Sequence, residues 1–314
     1  VNESYANYSF HTPVLAPQVV ELLITRRDGL YVDGTVGGGG HTRVLLDHLD
    51  DTARVIGIDQ DPEAVAYCRT QFSTDSRVLI VHDNFRDLKS LLEAKSVEKV
   101  DGILLDLGVS SHQIDSASRG FSFQQTGPLD MRMGSFQPST AAEILNTWKG
   151  EDIANLIWKY GEERQSRRIA RAIVRSREAN PIRTTDDLAR IVRGAVGGRY
   201  QTKTLARVFQ ALRVHVNQEL EALEKVLRDS VEVLKTGGRL VVISYHSLED
   251  RLVKQFFRHE ASTCVCPDDA PLCTCEKTAR MRILVSKPIT PRDDEIQTNP
   301  RSRSARLRAA ERIT

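Results

Sequence analysis

No stretch of this 314-residue chain approaches the ~18 consecutive apolar residues of a membrane-spanning helix, so no membrane association is expected. The segment from Val1 to Thr12 is polar and lacks the hydrophobic centre of a secretory signal, so a cytoplasmic location is expected. Cysteine is scarce, with five in all, and without an export signal a disulfide framework is not expected. There is no G-x4-G-K-[ST] run, which argues against a P-loop nucleotide hydrolase. No internal repeat is visible. Apolar content of 40% and charge of 27% fit a soluble globular protein, long enough for one large domain or two ordinary ones.

The most informative stretch present is Tyr31-Val32-Asp33-Gly34-Thr35-Val36-Gly37-Gly38-Gly39-Gly40-His41-Thr42. Apolar residues lead to an acid, then to four glycines, then to an amphipathic run through Val44, Leu45, Leu46 and Leu49. This pattern predicts a strand, a tight turn and a helix. Four consecutive glycines are too permissive for a helix or strand interior, but they let a ligand approach the backbone closely. Taken alone, the stretch fits an ordinary Gly-rich turn equally well.

Further strands are expected at 54–58, 78–81 and 100–105, each leading into a polar or acidic residue, with helices between them. Buried apolar strands alternating with helices predict a doubly wound parallel sheet. From Gly108 to Gly134 the pattern becomes a long loop, a length usually tied to function. From Thr140 to about Val214 it is all helical, with capping boxes at Thr140/Glu143 and Thr184/Asp187. The α/β pattern resumes with a helix at 219–234, a Gly237-Gly238 turn, a strand at 239–244, and a last strand at 281–286. The expected domains are therefore 1–136 and 215–314, forming one α/β core, and an inserted helical domain at 137–214. The third stretch also carries a Cys-rich loop at 264–275 and a basic tail.

Ligands of such sheets bind outside the carboxyl ends of the strands. Those ends carry Asp33 and the glycines, Asp59, Phe85, Asp106 and Tyr245-His246. Asp59 is placed to take the two hydroxyls of a ribose, and Phe85 to flank an adenine. The dinucleotide fingerprint fits poorly, because the position of its third glycine is Thr42. Asp33 also suits a cationic ligand such as a sulfonium better than a pyrophosphate.

Several longer motifs occur in one order. They include His11-Thr12-Pro13-Val14-Leu15, Asp33 to Thr42, Asp59-Gln60-Asp61-Pro62, and Gly102 to Ser111. Arg119-Gly120-Phe121-Ser122-Phe123, Gly127 to Met133, Tyr160 to Arg164, Phe209 to Arg213, Ser244 to Arg251 and Asn299 to Ser304 complete the set. In these the chain resembles the bacterial small-subunit (16S) ribosomal RNA cytosine-N4 methyltransferases, the MraW or RsmH family, over nearly its whole length. The resemblance implies a Rossmann-like S-adenosylmethionine domain with a helical insertion. It also implies methylation of the exocyclic amine of one cytosine near the decoding site. By motif it implies cofactor contacts from Gly39, Gly40, His41, Asp59, Phe85, Asp106 and Gln113; the strand-end reading adds Asp33 and Gly37. The expected partner is 16S ribosomal RNA within the small subunit, with homodimer formation left open.

For nitrogen methylation, Asp106 is the first candidate to accept an N4–H, the alternative being a cofactor contact with no chemical role. Tyr245 or Phe123 can stack on the base or pack in the core. His246 can take a proton or make a structural hydrogen bond. A cysteine nucleophile, needed for carbon-5 methylation, is not expected at the strand ends. Cys68 reads as a buried helix residue.

Cys264, Cys266, Cys273 and Cys275 form C-x-C-x6-C-x-C, tighter than the usual zinc spacing. The motif reads as a reduced loop, with structural zinc the alternative, and no metal is assigned. Residues 159–213 hold 14 Lys/Arg against 5 Asp/Glu, and 277–314 hold 10 against 4. Arg164, Arg167, Arg168, Arg171 and Arg175 are expected on one helix face for phosphates. Two rival readings stay open: a dinucleotide-dependent oxidoreductase, and a non-catalytic RNA-binding or assembly factor.

Overall fold

The computed structural model describes residues 13–134, 136–198, 201–266 and 274–314. His11, Thr12 and Cys273 lie outside them. The chain divides into two compact units. One runs to Gly108 and resumes at Glu221, and the other is Val109–Leu220.

The first unit begins with α1 (Ala16–Leu23), β1 (Leu30–Asp33), α2 (Gly40–Leu46), β2 (Arg54–Asp59) and α3 (Pro62–Gln71). It continues with β3 (Val78–His82), α4 (Leu88–Ala94) and β4 (Val100–Asp106). The second unit holds α5 (Ser111–Asp115), α6 (Ala141–Thr147), α7 (Gly150–Gly161), α8 (Ser166–Ala179), α9 (Thr185–Ala195) and α10 (Gln201–Val216). Then α11 (Glu219–Val233) leads back to β5 (Leu234–Ser244), α12 (Ser247–Ala261), β6 (Met281–Ile283), α13 (Asp293–Thr298) and β7 (Arg306–Arg312).

The strand order is β3-β2-β1-β4-β5-β7-β6. The first five strands pair in parallel, and β7 pairs antiparallel with both β5 and β6. This is the doubly wound sheet expected from the apolar strands. One face packs Val32, Ile103, Leu105 and Val242 against α4, α11 and α12. The other packs Tyr31, Val55, Leu104, Val241 and Ile243 against α1, α2 and α3. The reversal of chain order falls between β1 and β4, and places Asp33 and Asp106 on neighbouring strands. Among the described residues, no helix is long and apolar enough to cross a membrane.

Four elements depart from the sequence reading. The basic tail contains β7, whose Leu307, Ala309 and Ala310 are fully buried and whose Arg308 pairs with Asp250 on α12. The tail is thus partly structural. The last expected strand stops at Ile283. The Gly237-Gly238 turn lies inside β5, where Gly237 takes φ +81° and the register against β4 shifts. Finally, α5 forms within the expected loop, capped by Ser110, whose hydroxyl accepts from Gln113 N–H while Gln113 Oε1 accepts from Ser110 N–H.

The 109–136 stretch groups with the helices rather than with the sheet. Leu129 N–H donates to Arg183 C=O at 2.9 Å, Gly127 N–H to Thr185 Oγ1 at 3.1 Å, and Met133 N–H to the buried Asn217 Oδ1 at 2.8 Å. These bonds satisfy backbone groups that a surface loop would give to water.

Candidate active site

The glycine turn is held from three sides. Asp33, fully buried at the end of β1, accepts from Thr42 Oγ1 at 2.7 Å and from Thr35 N–H at 3.3 Å. Asp59, at the end of β2, accepts from Gly37 N–H at 2.8 Å and from Asp61 N–H at 2.9 Å. The Cys68 thiol on α3 donates to Gly37 C=O at 3.2 Å. Gly39 takes φ +77°, and a Cβ there would sit 2.7 Å from the Phe72 ring, so the turn admits no side chain at this position.

Burial dominates the acidity of this floor. It pushes the Asp59 carboxyl up to about 6, against the two backbone donors that oppose the shift. Burial also raises Asp33, with the nearby His41 and the Thr42 hydroxyl working the other way. It holds Cys68 as a thiol, pushed up to about 12. Cys68 is the buried helix residue expected, and it reaches the turn as a hydrogen-bond donor and not as a nucleophile.

Asp106 closes β4 two residues beyond the partner of Asp33. Its backbone N–H donates to Thr35 Oγ1 at 2.7 Å, and its Oδ1 accepts from Tyr245 Oη at 2.8 Å. His41 Nε2 approaches Oδ2 to 3.4 Å without aligned hydrogen-bond geometry. Burial disfavours a charged His41, but Asp106 and, behind it, Asp33 outweigh that effect and raise its pKa. Burial, then the Asp106 charge, raises the Tyr245 hydroxyl well above its ordinary value, so Tyr245 acts as a donor and not as a base.

His246 is the N-cap residue of α12. Glu249, almost fully buried, accepts from Tyr245 N–H at 2.9 Å and from His246 N–H at 3.3 Å. His246 Nε2 lies 3.1 Å from Glu249 Oε1. Phe85 stands on the single turn after β3, which Asn84 caps.

The carboxyl ends of β1 to β5 and the turns after them thus gather Asp33, Gly37, Gly39, Gly40, His41, Asp59, Phe85, Asp106, Tyr245 and His246. Gln113 belongs to the second unit, where its side chain caps α5. Phe123, also in that unit, packs edge-on against Phe209 with centroids 5.4 Å apart. The sequence reading gave no part to Thr35, Thr42 or Glu249. Hydroxyls placed two residues after one strand-end acid and nine after it were the available signal, as was a carboxylate three residues into a helix.

A profile of the MraW methylase family matches residues 8–313. The chain belongs to that family. A relative from Thermomicrobium roseum, named ribosomal RNA small subunit methyltransferase H, is 51% identical over 305 residues, covering 96% of this chain and 94% of that one. A relative of the same name from Heliobacterium mobile is 48% identical over 308 residues, covering 96% and 99%. Among solved structures, an rRNA methylase from Streptococcus thermophilus aligns over 95% of this chain and 94% of that one, at 13% identity and a TM-score of 0.40.

As a member of the MraW family the chain is a methyltransferase that uses S-adenosylmethionine. The residues present fit that group. The buried Nδ1 of His41 has no hydrogen-bond partner among the described residues. An atom left in that state costs about 1–3 kcal/mol unless an outside ligand meets it. Two of the turn amides are already taken: Gly37 N–H is given to Asp59 and Gly39 N–H to Val36 C=O. Three carboxylates around such a turn suit a cationic donor and disfavour a pyrophosphate.

Proposed function

We propose that this methyltransferase places its methyl group on the exocyclic N4 amine of a cytosine in 16S ribosomal RNA, within the small ribosomal subunit and in the cytoplasm. Its MraW membership across residues 8–313 carries this reading. The relatives named as ribosomal RNA small subunit methyltransferases support the substrate. When bound, S-adenosylmethionine supplies a methyl group on a sulfonium.

Each strand-end residue then has a task. Asp59 accepts the ribose hydroxyls once ionised, and Phe85 flanks the adenine. Asp33 and Asp106 supply negative charge beside the sulfonium. Gln113 is a further cofactor contact by motif. A cytosine N4 lone pair is delocalised into its ring. An acceptor for one N4–H lets the nitrogen pyramidalise toward the methyl, and positioning supplies much of the rate. Asp106, fixed by Tyr245 Oη and by its own N–H to Thr35, is that acceptor. His246 receives or relays the proton.

The second unit supplies the RNA contacts. Arg164, Arg167, Arg168, Arg171 and Arg175 are all exposed, while Ile169 and Ile173 of α8 are buried. Arg164 precedes the helix, and Val174 is only half-buried. A cleft of about 530 Å3 in the same unit is lined by Trp148, Tyr160 and His215, with Lys149 and Lys159 beside them. Aromatic faces with flanking ammonium groups suit a stacked base and its phosphate.

The test is transfer of labelled methyl from S-adenosylmethionine to small subunits lacking this modification. Incorporation by the wild type and its loss in Asp106→Ala is the expected result. Absence of transfer, with RNA binding intact, favours an assembly factor. Tight NAD binding in place of S-adenosylmethionine favours an oxidoreductase.

A further inference from the structure

The connection between α12 and β6 spans 262–280 and carries the cysteine motif that methyl transfer leaves unused. Its ends are tied together. Arg280 N–H donates to Glu260 C=O at 2.8 Å, and its guanidinium to Glu260 Oε2 at 2.7 Å. None of its described residues is buried, and Val265 is about half exposed. A connection of this length whose described residues supply no core needs some other source of order.

The Sγ atoms of Cys264, Cys266 and Cys275 all lie within 4.8 Å of one another. Cys264 and Cys275 are 3.9 Å apart, nearly twice the length of an S–S bond. Sulfurs about 2.3 Å from one tetrahedral zinc stand about 3.8 Å apart. Two backbone amides also aim at this cluster. Val265 N–H donates to Cys275 Sγ and Cys266 N–H to Cys264 Sγ, each at 3.4 Å. Amides directed at sulfur are the outer partners that hold metal-ligating sulfurs in place.

We infer that Cys264, Cys266 and Cys275 bind a structural zinc ion that orders residues 264–266 against Cys275. Soft thiolates select zinc over the hard cations, and C-x-C, tight as it is, brings both of its sulfurs to the cluster. Three thiolates leave one position of the tetrahedron for a fourth ligand. Cys273 lies outside the described residues.

The experiment uses the whole chain, purified without chelators or metal resins and incubated with zinc chloride before gel filtration. Elemental analysis is expected to find about one zinc per chain. Cobalt in its place gives the absorption of a tetrahedral thiolate complex. A Cys264→Ser/Cys275→Ser variant loses the zinc while keeping its S-adenosylmethionine affinity, which reports an intact first unit. In the wild type, chelation speeds proteolysis within 262–280 by about tenfold or more, and added zinc restores protection. Three results overturn the inference: no zinc bound by the wild type, iron with acid-labile sulfide in its place, or a full equivalent of zinc in the double variant. Proteolysis unaffected by chelation overturns the ordering role.

Discussion

As the proposed acceptor for the ribose hydroxyls, Asp59 would serve binding at a cost to folding. Its carboxyl titrates near 6 in the folded chain, chiefly from burial, and near about 3.9 when unfolded. Folding therefore favours the protonated form. The penalty from this group is absent below about pH 4, grows to on the order of 3 kcal/mol by about pH 6, and is constant above that. Cofactor binding runs the other way, because ribose hydroxyls need an ionised acceptor. In thermal melts without cofactor, wild type should lose stability relative to Asp59→Asn between about pH 4 and 6. Cofactor affinity of the wild type should rise over the same interval. A melting difference independent of pH contradicts this account of Asp59. At Asp106 the carboxylate is fixed as an acceptor, so Asp106→Asn should lower the methyl-transfer rate by about 10²- to 10⁴-fold. Tyr245→Phe, which removes the 2.8 Å bond, should lower it less. Single-turnover assays separate the two, and equal losses speak against Asp106 as the N4–H acceptor.

At the scale of elements, β7 joins the tail to the sheet through charge as well as through its buried alanines. Arg308 and Asp250 are both buried, with Arg308 Nε 2.7 Å from Asp250 Oδ1, and Arg306 adds a second contact at 3.1 Å. Burial would raise the Asp250 carboxyl, but the hydrogen bond and charge of Arg308 hold it below its usual range. Arg308→Ala leaves a buried carboxylate exposed to that penalty and should destabilise by about 3–5 kcal/mol. Adding Asp250→Asn should recover part of the loss, and denaturant melts that show full additivity contradict the pairing. This strand was hard to read because four of the seven residues from Arg306 to Arg312 are charged, and Asp250, 58 positions from Arg308, decides which of them turns inward. By contrast, β1, β2 and β4 were legible because both of their faces are buried and their runs are mostly apolar. The acids that close them were legible for the same reason: each breaks such a run at its carboxyl end. The cap of α5 was written in Ser110-x-x-Gln113, but glycines and polar residues on either side masked it.

The chain forms two compact units, and the proposed function divides two tasks between them, methyl-donor binding at the strand ends and RNA contact on the basic helices. Charge reversal at Arg171→Glu and Arg175→Glu should weaken RNA binding and flatten its salt dependence by about one unit of log–log slope per lost phosphate contact. S-adenosylmethionine affinity should stay unchanged, as calorimetry can check. Identity of the family was legible because its motifs run in order along nearly the full chain. Contacts that depend on folding, such as Cys68 beneath Gly37 and Thr35 behind Asp106, were not. The central claim is nitrogen methylation of a cytosine. Small subunits methylated by the purified enzyme, digested to nucleosides and analysed by mass spectrometry, test it most directly. The account predicts N4-methylcytidine, absent when Asp106→Ala is used; 5-methylcytidine or a ribose-methylated nucleoside in its place contradicts it.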